Sequence, residues 1–266
     1  RLIHEALGLG VNFLDTAEAY GTEEIVGDAV ATLARDEVVI SSKCRIRMGG
    51  ERITAAAVID SLEVSLRRLK TDTIDVFHLH AVSPADYEYA RDEIAPAVVK
   101  ARESGKIRHI GITETGPNDP EQTMLARAVG EAPWEVVMLA FSMLNQGARH
   151  GVLAGTQKHG IGTLAMFVVR NVLSQPERLK ATLAQLATAG QIPADVVREE
   201  PALGFVLGDG GAASLTEAAY RYARHEAGID VVLFGTGRRE NLVANIAALE
   251  KPPLPAATVA RLNESF

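Results

Sequence analysis

The sequence predicts an α/β fold in which strands and helices alternate to form a (β/α)8 TIM barrel. Three observations predict it. Strand-like and helix-like segments take turns along the whole of the 266 residues, which is the pattern of βα units on a parallel sheet. The strand-like segments are short apolar or β-branched runs without polar alternation, as expected of strands covered on both faces. The glycine signature of the rival doubly wound sheet is missing. That fold needs G-x-G-x-x-G between its first strand and helix. Here Gly8-Leu9-Gly10 precedes a strand, and Gly208-Asp209-Gly210-Gly211 has no strand before it.

Taken in order, the chain opens with Leu2, Ile3, Ala6 and Leu7 at helical spacing, ending in Gly8 and Gly10. Strands are expected near Val11–Asp15, Val38–Ser41, Ile74–His78, His109–Ile112, Val136–Leu139, Gly162–Met166 and Val231–Phe234. Between the second and third lies Ile53–Leu69, whose Val58, Leu62, Ser65, Leu66 and Leu69 line one helical face. Seven strands are one short of a closed barrel. The opening helix therefore reads as the first barrel helix, and a strand is expected upstream of Arg1, since without it the sheet would keep an open edge. No linker, repeat or low-complexity stretch divides the sequence, so residues 1–266 are expected to form a single domain.

Composition narrows the function. Hydrophobic residues make up 47% and charged ones 23%, ordinary for a soluble protein with a sizeable core. The net charge of −7 argues against nucleic acid as a partner. No apolar run reaches the ~18–20 residues of a membrane span, and no signal peptide opens the chain. The single cysteine, Cys44, excludes an internal disulfide and fits a reducing, cytoplasmic setting. With no conventional base placed beside it, Cys44 is expected to be a buried structural thiol.

Chemistry in such barrels sits at the C-terminal ends of strands. Asp15, Lys43 and His80 fall at three such ends, and Tyr20 lies on the loop after Asp15. Each has a plain reading: Asp15 as a helix N-cap, Tyr20 as a packing aromatic, His80 as a core histidine. Lys43 after an apolar strand is harder to dismiss, because buried lysines are rare without a partner. Together they make a proton donor. A free phenol has a pKa of about 10. A neighbouring ammonium, Lys43, is expected to lower it, with Asp15 holding Lys43 protonated and His80 hydrogen-bonding the phenol or a substrate carbonyl. Two other readings are weaker. His78 and His80 form an H-x-H pair, but a metal site needs ligands from other strand ends, and His109 opens its strand at the wrong end; no metal is expected. A Schiff-base lysine needs a lowered pKa, and Asp15 is expected to raise that of Lys43.

GVNFLDTAEAYG, VVISSK and IDVFHLH, in that order, resemble the aldo-keto reductase family, and the resemblance runs from the first residues to about Leu249. It implies that Asp15, Tyr20, Lys43 and His80 are the family's catalytic tetrad. The stretch from Val231 to Asn245 is a strand, a loop of small residues and a helix start, a natural phosphate site. By resemblance it holds NADP(H): Gly235, Thr236, Gly237, Arg238 and Asn241 at the phosphate end, Asn245 at the adenine. Arg238 and Arg239 favour NADP(H) over NAD(H). The nicotinamide end departs from the family. Thr113 and Glu114 stand where Ser-Asn is common, Met138 where a glutamine is, and Met166 or Phe167 where an aromatic stacks on the ring. The expected function is NADP(H)-dependent reduction of a small aldehyde or ketone to an alcohol. The alternative is a nicotinamide-binding regulatory or scaffold protein on the same barrel. The Ala81–Glu93 loop, the Leu173–Gly211 insertion and the C-terminal tail are expected to shape the substrate pocket.

Overall fold

All seven expected strands are present in the computed structural model, which describes residues 1–116 and 119–266. Packing divides these residues into two units: residues 1–139 with 154–163, and residues 140–153 with 164–266.

The first unit contains β1 (Phe13–Asp15), β2 (Val39–Arg45), β3 (Ile74–His80), β4 (Ile107–Thr113) and, up to Leu139, β5 (Val136–Ala140). They lie side by side in that order, all parallel. Burial explains why. Every residue of β3 before His80 is buried, as are five of the seven in β2, so neither strand has a face to give to water. The register sets Asp15 beside Ser41, Lys43 beside His78, and Arg45 beside His80. That places Asp15, Lys43 and His80 toward one end of the sheet.

Helices α1 (Leu2–Gly8), α2 (Glu23–Val30), α3 (Ala55–Leu69), α4 (Ala95–Glu103) and α5 (Thr123–Ala128) alternate with these strands. The Thr54 side chain caps α3 by accepting from the Ala57 amide, and Lys70 ends it at φ 53°. Val58, Leu62, Ser65, Leu66 and Leu69 are buried along α3, the face read from the sequence. Only Ala6 of α1 is buried, a weaker burial than its apolar spacing suggests. Gly27 lets α2 approach α3 closely: a Cβ there would lie 2.4 Å from the Arg68 carbonyl oxygen.

The second unit holds β7 (Val231–Val232) and, from Leu164 on, β6 (Gly162–Met166), paired in parallel through Leu164–Val231 and Ala165–Val232. Its main helices are α6 (Pro176–Thr188), α7 (Leu215–Arg224), α8 (Arg239–Leu249) and α9 (Ala256–Ser265). Tyr222 on α7 stacks on Phe141 at 5.8 Å, and the Arg149 guanidinium donates to Tyr222 and to both oxygens of Glu226.

Strand limits differ from the sequence reading. β1 begins at Phe13 rather than Val11, and β7 stops at Val232 rather than Phe234, while β2, β3 and β4 run further than expected. A short antiparallel hairpin, Arg47–Met48 with Glu51–Arg52, comes after β2. Gly49 and Gly50 turn it with φ of 59° and 90°, the left-handed pair that a two-residue hairpin loop requires. That Gly-Gly signal was present in the sequence.

Candidate active site

β1 and β2 bring the first two side chains together. Asp15 and Lys43 lie on adjacent strands near their C-terminal ends. The Lys43 ammonium donates to Asp15 Oδ2 at 2.6 Å and to the Thr16 carbonyl at 2.6 Å. Its side chain is 0% exposed and that of Asp15 16%. Ser41 Oγ donates to the other Asp15 oxygen at 2.8 Å. Asp15 therefore anchors a lysine rather than capping a helix. Burial pushes the Asp15 carboxyl up and the Lys43 ammonium down, and their mutual attraction opposes burial on both. This corrects the expectation that Asp15 sets the direction for Lys43: taking the charge out of water outweighs the partner.

Tyr20 comes from the chain just beyond. Glu18–Tyr20 form one 3₁₀ turn closed by Gly21 at φ 65°. The turn is tied down by a Thr16–Thr22 hydroxyl pair at 2.8 Å and by Ser61 Oγ donating to Glu18 at 2.6 Å. The phenol ring lies over the Lys43 ammonium, 4.8 Å from Nζ to the ring centroid, and is 52% exposed. Burial first, then Asp15, raise the Tyr20 pKa, while Arg45 lowers it. The expected depression by Lys43 is not found. The ammonium sits under the ring face and is committed to Asp15 and Thr16, so the phenol stays protonated at neutral pH.

His80 ends β3 and meets Tyr20 edge to face, with ring centroids 5.7 Å apart at 86°. This is a ring contact, not the hydrogen bond to the phenol that the sequence suggested. Burial, then the Lys43 and Arg45 charges, bring the His80 pKa down to about 4. His80 is therefore a neutral imidazole at neutral pH. His78, two residues earlier, is wholly buried, and its ring fills the space over Gly111, where a Cβ would lie 2.1 Å from Nδ1. Burial again leads in holding His78 neutral. Among the described residues, no group of three or more His, Cys, Asp and Glu side chains is placed to hold a metal. Cys44 is buried, its thiol pushed up to about 12 chiefly by desolvation, which is the inert thiol expected.

Of the residues matched to the nicotinamide end, Thr113, Glu114 and Met138 belong to the first unit and are all buried. The Thr113 hydroxyl accepts from the Ala81 amide at 2.7 Å, pinning the loop after His80, and the Glu114 amide donates to the Met138 carbonyl. In the second unit Met166 is half-buried. Phe167 is exposed at φ 62° with the Arg170 guanidinium 4.1 Å from its ring centroid.

The phosphate-end residues are also in the second unit. Gly235, Gly237, Arg238 and Asn241 are exposed and Asn245 is buried. Thr236 Oγ1 accepts from the Arg238 amide at 3.1 Å. Arg238 is the N-cap of α8, and no side chain caps that helix. Small residues, an uncapped helix start and an arginine fit a phosphate group.

Comparison with known proteins identifies the family. The model of the Aldo/keto reductase family matches residues 1–265. The chain is 27% identical over 259 residues to an uncharacterized oxidoreductase, YqkF, of Bacillus subtilis, covering 93% of this chain and 80% of the relative. It superimposes on the holo form of an aldo-keto reductase from Bacillus halodurans with a TM-score of 0.76 at 24% identity, over 98% of this chain and 85% of that one. An aldo/keto reductase from Klebsiella pneumoniae, in complex with NADP and acetate, matches with a TM-score of 0.70 at 23% identity, over 98% and 82%. Both structures share the (β/α)8 barrel that the strand and helix order predicts, and with the family match over nearly every residue, this chain belongs to the aldo/keto reductase family.

Proposed function

We infer that the protein reduces an aldehyde or ketone to an alcohol, using NADP(H) and the set Tyr20, Lys43, Asp15 and His80. The observation that carries this reading is the stack in the first unit: a buried, carboxylate-anchored ammonium beneath a half-exposed phenol, flanked by a neutral imidazole. NADPH, when bound, supplies the hydride that adds to the carbonyl carbon. Tyr20 donates its phenolic proton to the oxygen as negative charge grows there. Its raised pKa suits that direction: the phenol is fully protonated at neutral pH, and an alkoxide is a stronger base than the phenolate left behind. Lys43, anchored by Asp15 and the Thr16 carbonyl beneath the ring face, holds the phenol in position for that transfer. Neutral His80 is available as a hydrogen-bond partner for the substrate oxygen. The same raised pKa disfavours alcohol oxidation, which needs phenolate at the start.

Gly235, Thr236, Gly237, Arg238 and Asn241 are the residues assigned to the phosphate end of NADP(H), with Asn245 at the adenine. Thr113, Glu114, Met138, Met166 and Phe167 are assigned to the nicotinamide end. The scaffold reading has no comparable support, because a sensor has no need of a buried ammonium held under a phenol.

Tyr20→Phe tests the proposal. It removes only the phenolic hydroxyl, so NADPH binding is expected to persist while kcat falls roughly 10²–10⁴-fold, the worth of a positioned general acid. NADPH oxidation with small aldehydes reads the rate, and fluorescence titration reads binding. Undiminished turnover would remove Tyr20 from the mechanism.

A further inference from the structure

We propose that Arg45 forms a subsite for a carboxylate carried by the carbonyl substrate, so that this reductase selects carboxylated aldehydes or ketones. The inference rests on the reductase reading above and deepens it by naming a substrate class.

Arg45 is the last residue of β2, two after Lys43, so the two side chains leave the strand on the same side. Its register partner on β3 is His80. It thus stands one pleat beyond the Lys43–Asp15 pair, next to the imidazole that faces Tyr20. Its charge is felt at both rings, lowering the pKa of Tyr20 and of His80.

The neighbouring cations are all committed. Lys43 is held by Asp15 and the Thr16 carbonyl. Arg47 and Arg52, on the two arms of the hairpin beyond β2, both donate to Asp86, each with a contact of 2.8 Å. Arg52 also lies over the Tyr89 ring at 4.9 Å. Arg45 is exposed and, among the described residues, its side chain makes neither an ion pair nor a hydrogen bond.

A strand-end guanidinium left uncommitted beside a general acid is a fork of donors matched to a carboxylate. A phosphate dianion is a poorer match, since a single uncommitted cation leaves half its charge unbalanced.

The test compares para-carboxybenzaldehyde with para-methylbenzaldehyde in the NADPH-dependent reaction of the wild type, Arg45→Gln and Arg45→Lys. The readout is the ratio of the two kcat/KM values, which cancels any effect of Arg45 on Tyr20 or His80 common to both substrates. A charge-assisted bond at an exposed position corresponds to about tenfold in affinity. The ratio is therefore expected to fall about tenfold in Arg45→Gln, mostly through KM, and to recover in part in Arg45→Lys. Added salt should lower it in the wild type and not in Arg45→Gln. An unchanged ratio in Arg45→Gln overturns the proposal. So does a tenfold loss of NADPH affinity in that variant, which would give Arg45 to the cofactor. Titration calorimetry with benzoate separates the two levels of inference. If neither aldehyde is reduced, the reductase reading fails. Benzoate binding lost in Arg45→Gln then still supports the carboxylate subsite, and binding equal in both proteins rejects it.

Discussion

Lys43 illustrates how much one residue can be made to do once it is out of water. Its ammonium bonds a carboxylate and a carbonyl at 2.6 Å each, with no exposed surface. Those bonds offset the cost of burying the charge, and the ring face of Tyr20 lies 4.8 Å from the same nitrogen. A Schiff base would require this amine to give up both bonds and reach a carbonyl. Lys43→Met is expected to nearly abolish carbonyl reduction, since the Tyr20 ring loses the anchored ammonium it rests on. It also leaves Asp15 buried without its cation. Removing one partner of a buried pair costs roughly 3–5 kcal/mol, so the variant should melt earlier. Adding Asp15→Asn to Lys43→Met removes the orphaned charge and should restore part of the stability without restoring activity. Thermal melting alongside NADPH oxidation checks both. A single variant as stable as the wild type would mean that the pair is not held as an ion pair.

At the scale of the element, the candidate site residues gather at the C-terminal ends of strands and in the loops beyond them. The β2 end supplies Lys43 and Arg45, the β3 end His80, and the loop after β7 leads into α8 through Thr236 and Arg238. Arg238 stands at the uncapped start of α8, where the helix dipole already favours an anion. Only NADP(H) carries a 2′-phosphate to meet it. Arg238→Ala is expected to weaken NADPH binding by ~10–100-fold, from roughly 1.5–3 kcal/mol for a charge-assisted bond, and to leave NADH nearly unchanged. Equal binding of NADH and NADPH by the wild type, in fluorescence titration, would make Arg238 an ordinary surface residue. The elements themselves were legible because unalternated runs such as IDVFHLH have no polar face to expose. Their limits were less so: β1 starts late and β7 stops early, each where pairing with its neighbour sets the limit, and that is not written in either run. Three of the four candidate catalytic residues stood out because Asp, Lys and His at apolar strand ends are costly to bury, and Tyr20 by its place on the loop after Asp15. The directions of their pKa shifts were not legible, because these depend on depth of burial and on which partner already holds Lys43. The freedom of Arg45 was hidden likewise, since it shows only once Asp86 is seen to claim both Arg47 and Arg52.

At the scale of the whole molecule, two neutral histidines inside the first unit tie folding stability to pH. His80 titrates at about 4 in the folded protein against a reference of 6.5, and His78 is shifted in the same direction. Between those values the unfolded chain binds protons that the folded one refuses. Stability is therefore complete above the unfolded value and is lost as pH falls through about 6.5 toward 4. For His80 alone the loss is about 2 kcal/mol by about pH 5, and His78 adds to it. Asp15, pushed up by burial, works the other way and returns part of that stability as it takes up its proton, while the carboxylates held low do not share this window. Asp86, Glu131 and Glu217 have pKa values held low by arginine or lysine partners, so their contribution is lost only at more acid pH. At roughly 2–4 °C per kcal/mol for a chain of this size, Tm should fall by about 4 °C or more between about pH 7 and pH 5. Replacing both histidines by glutamine should flatten that dependence, whatever it does to stability at pH 7. A wild-type Tm that stays level over this range would mean that His78 and His80 accept protons in the folded protein. The neutral imidazole beside Tyr20 would then be wrong, and with it the reading of His80 as a neutral partner for the substrate oxygen.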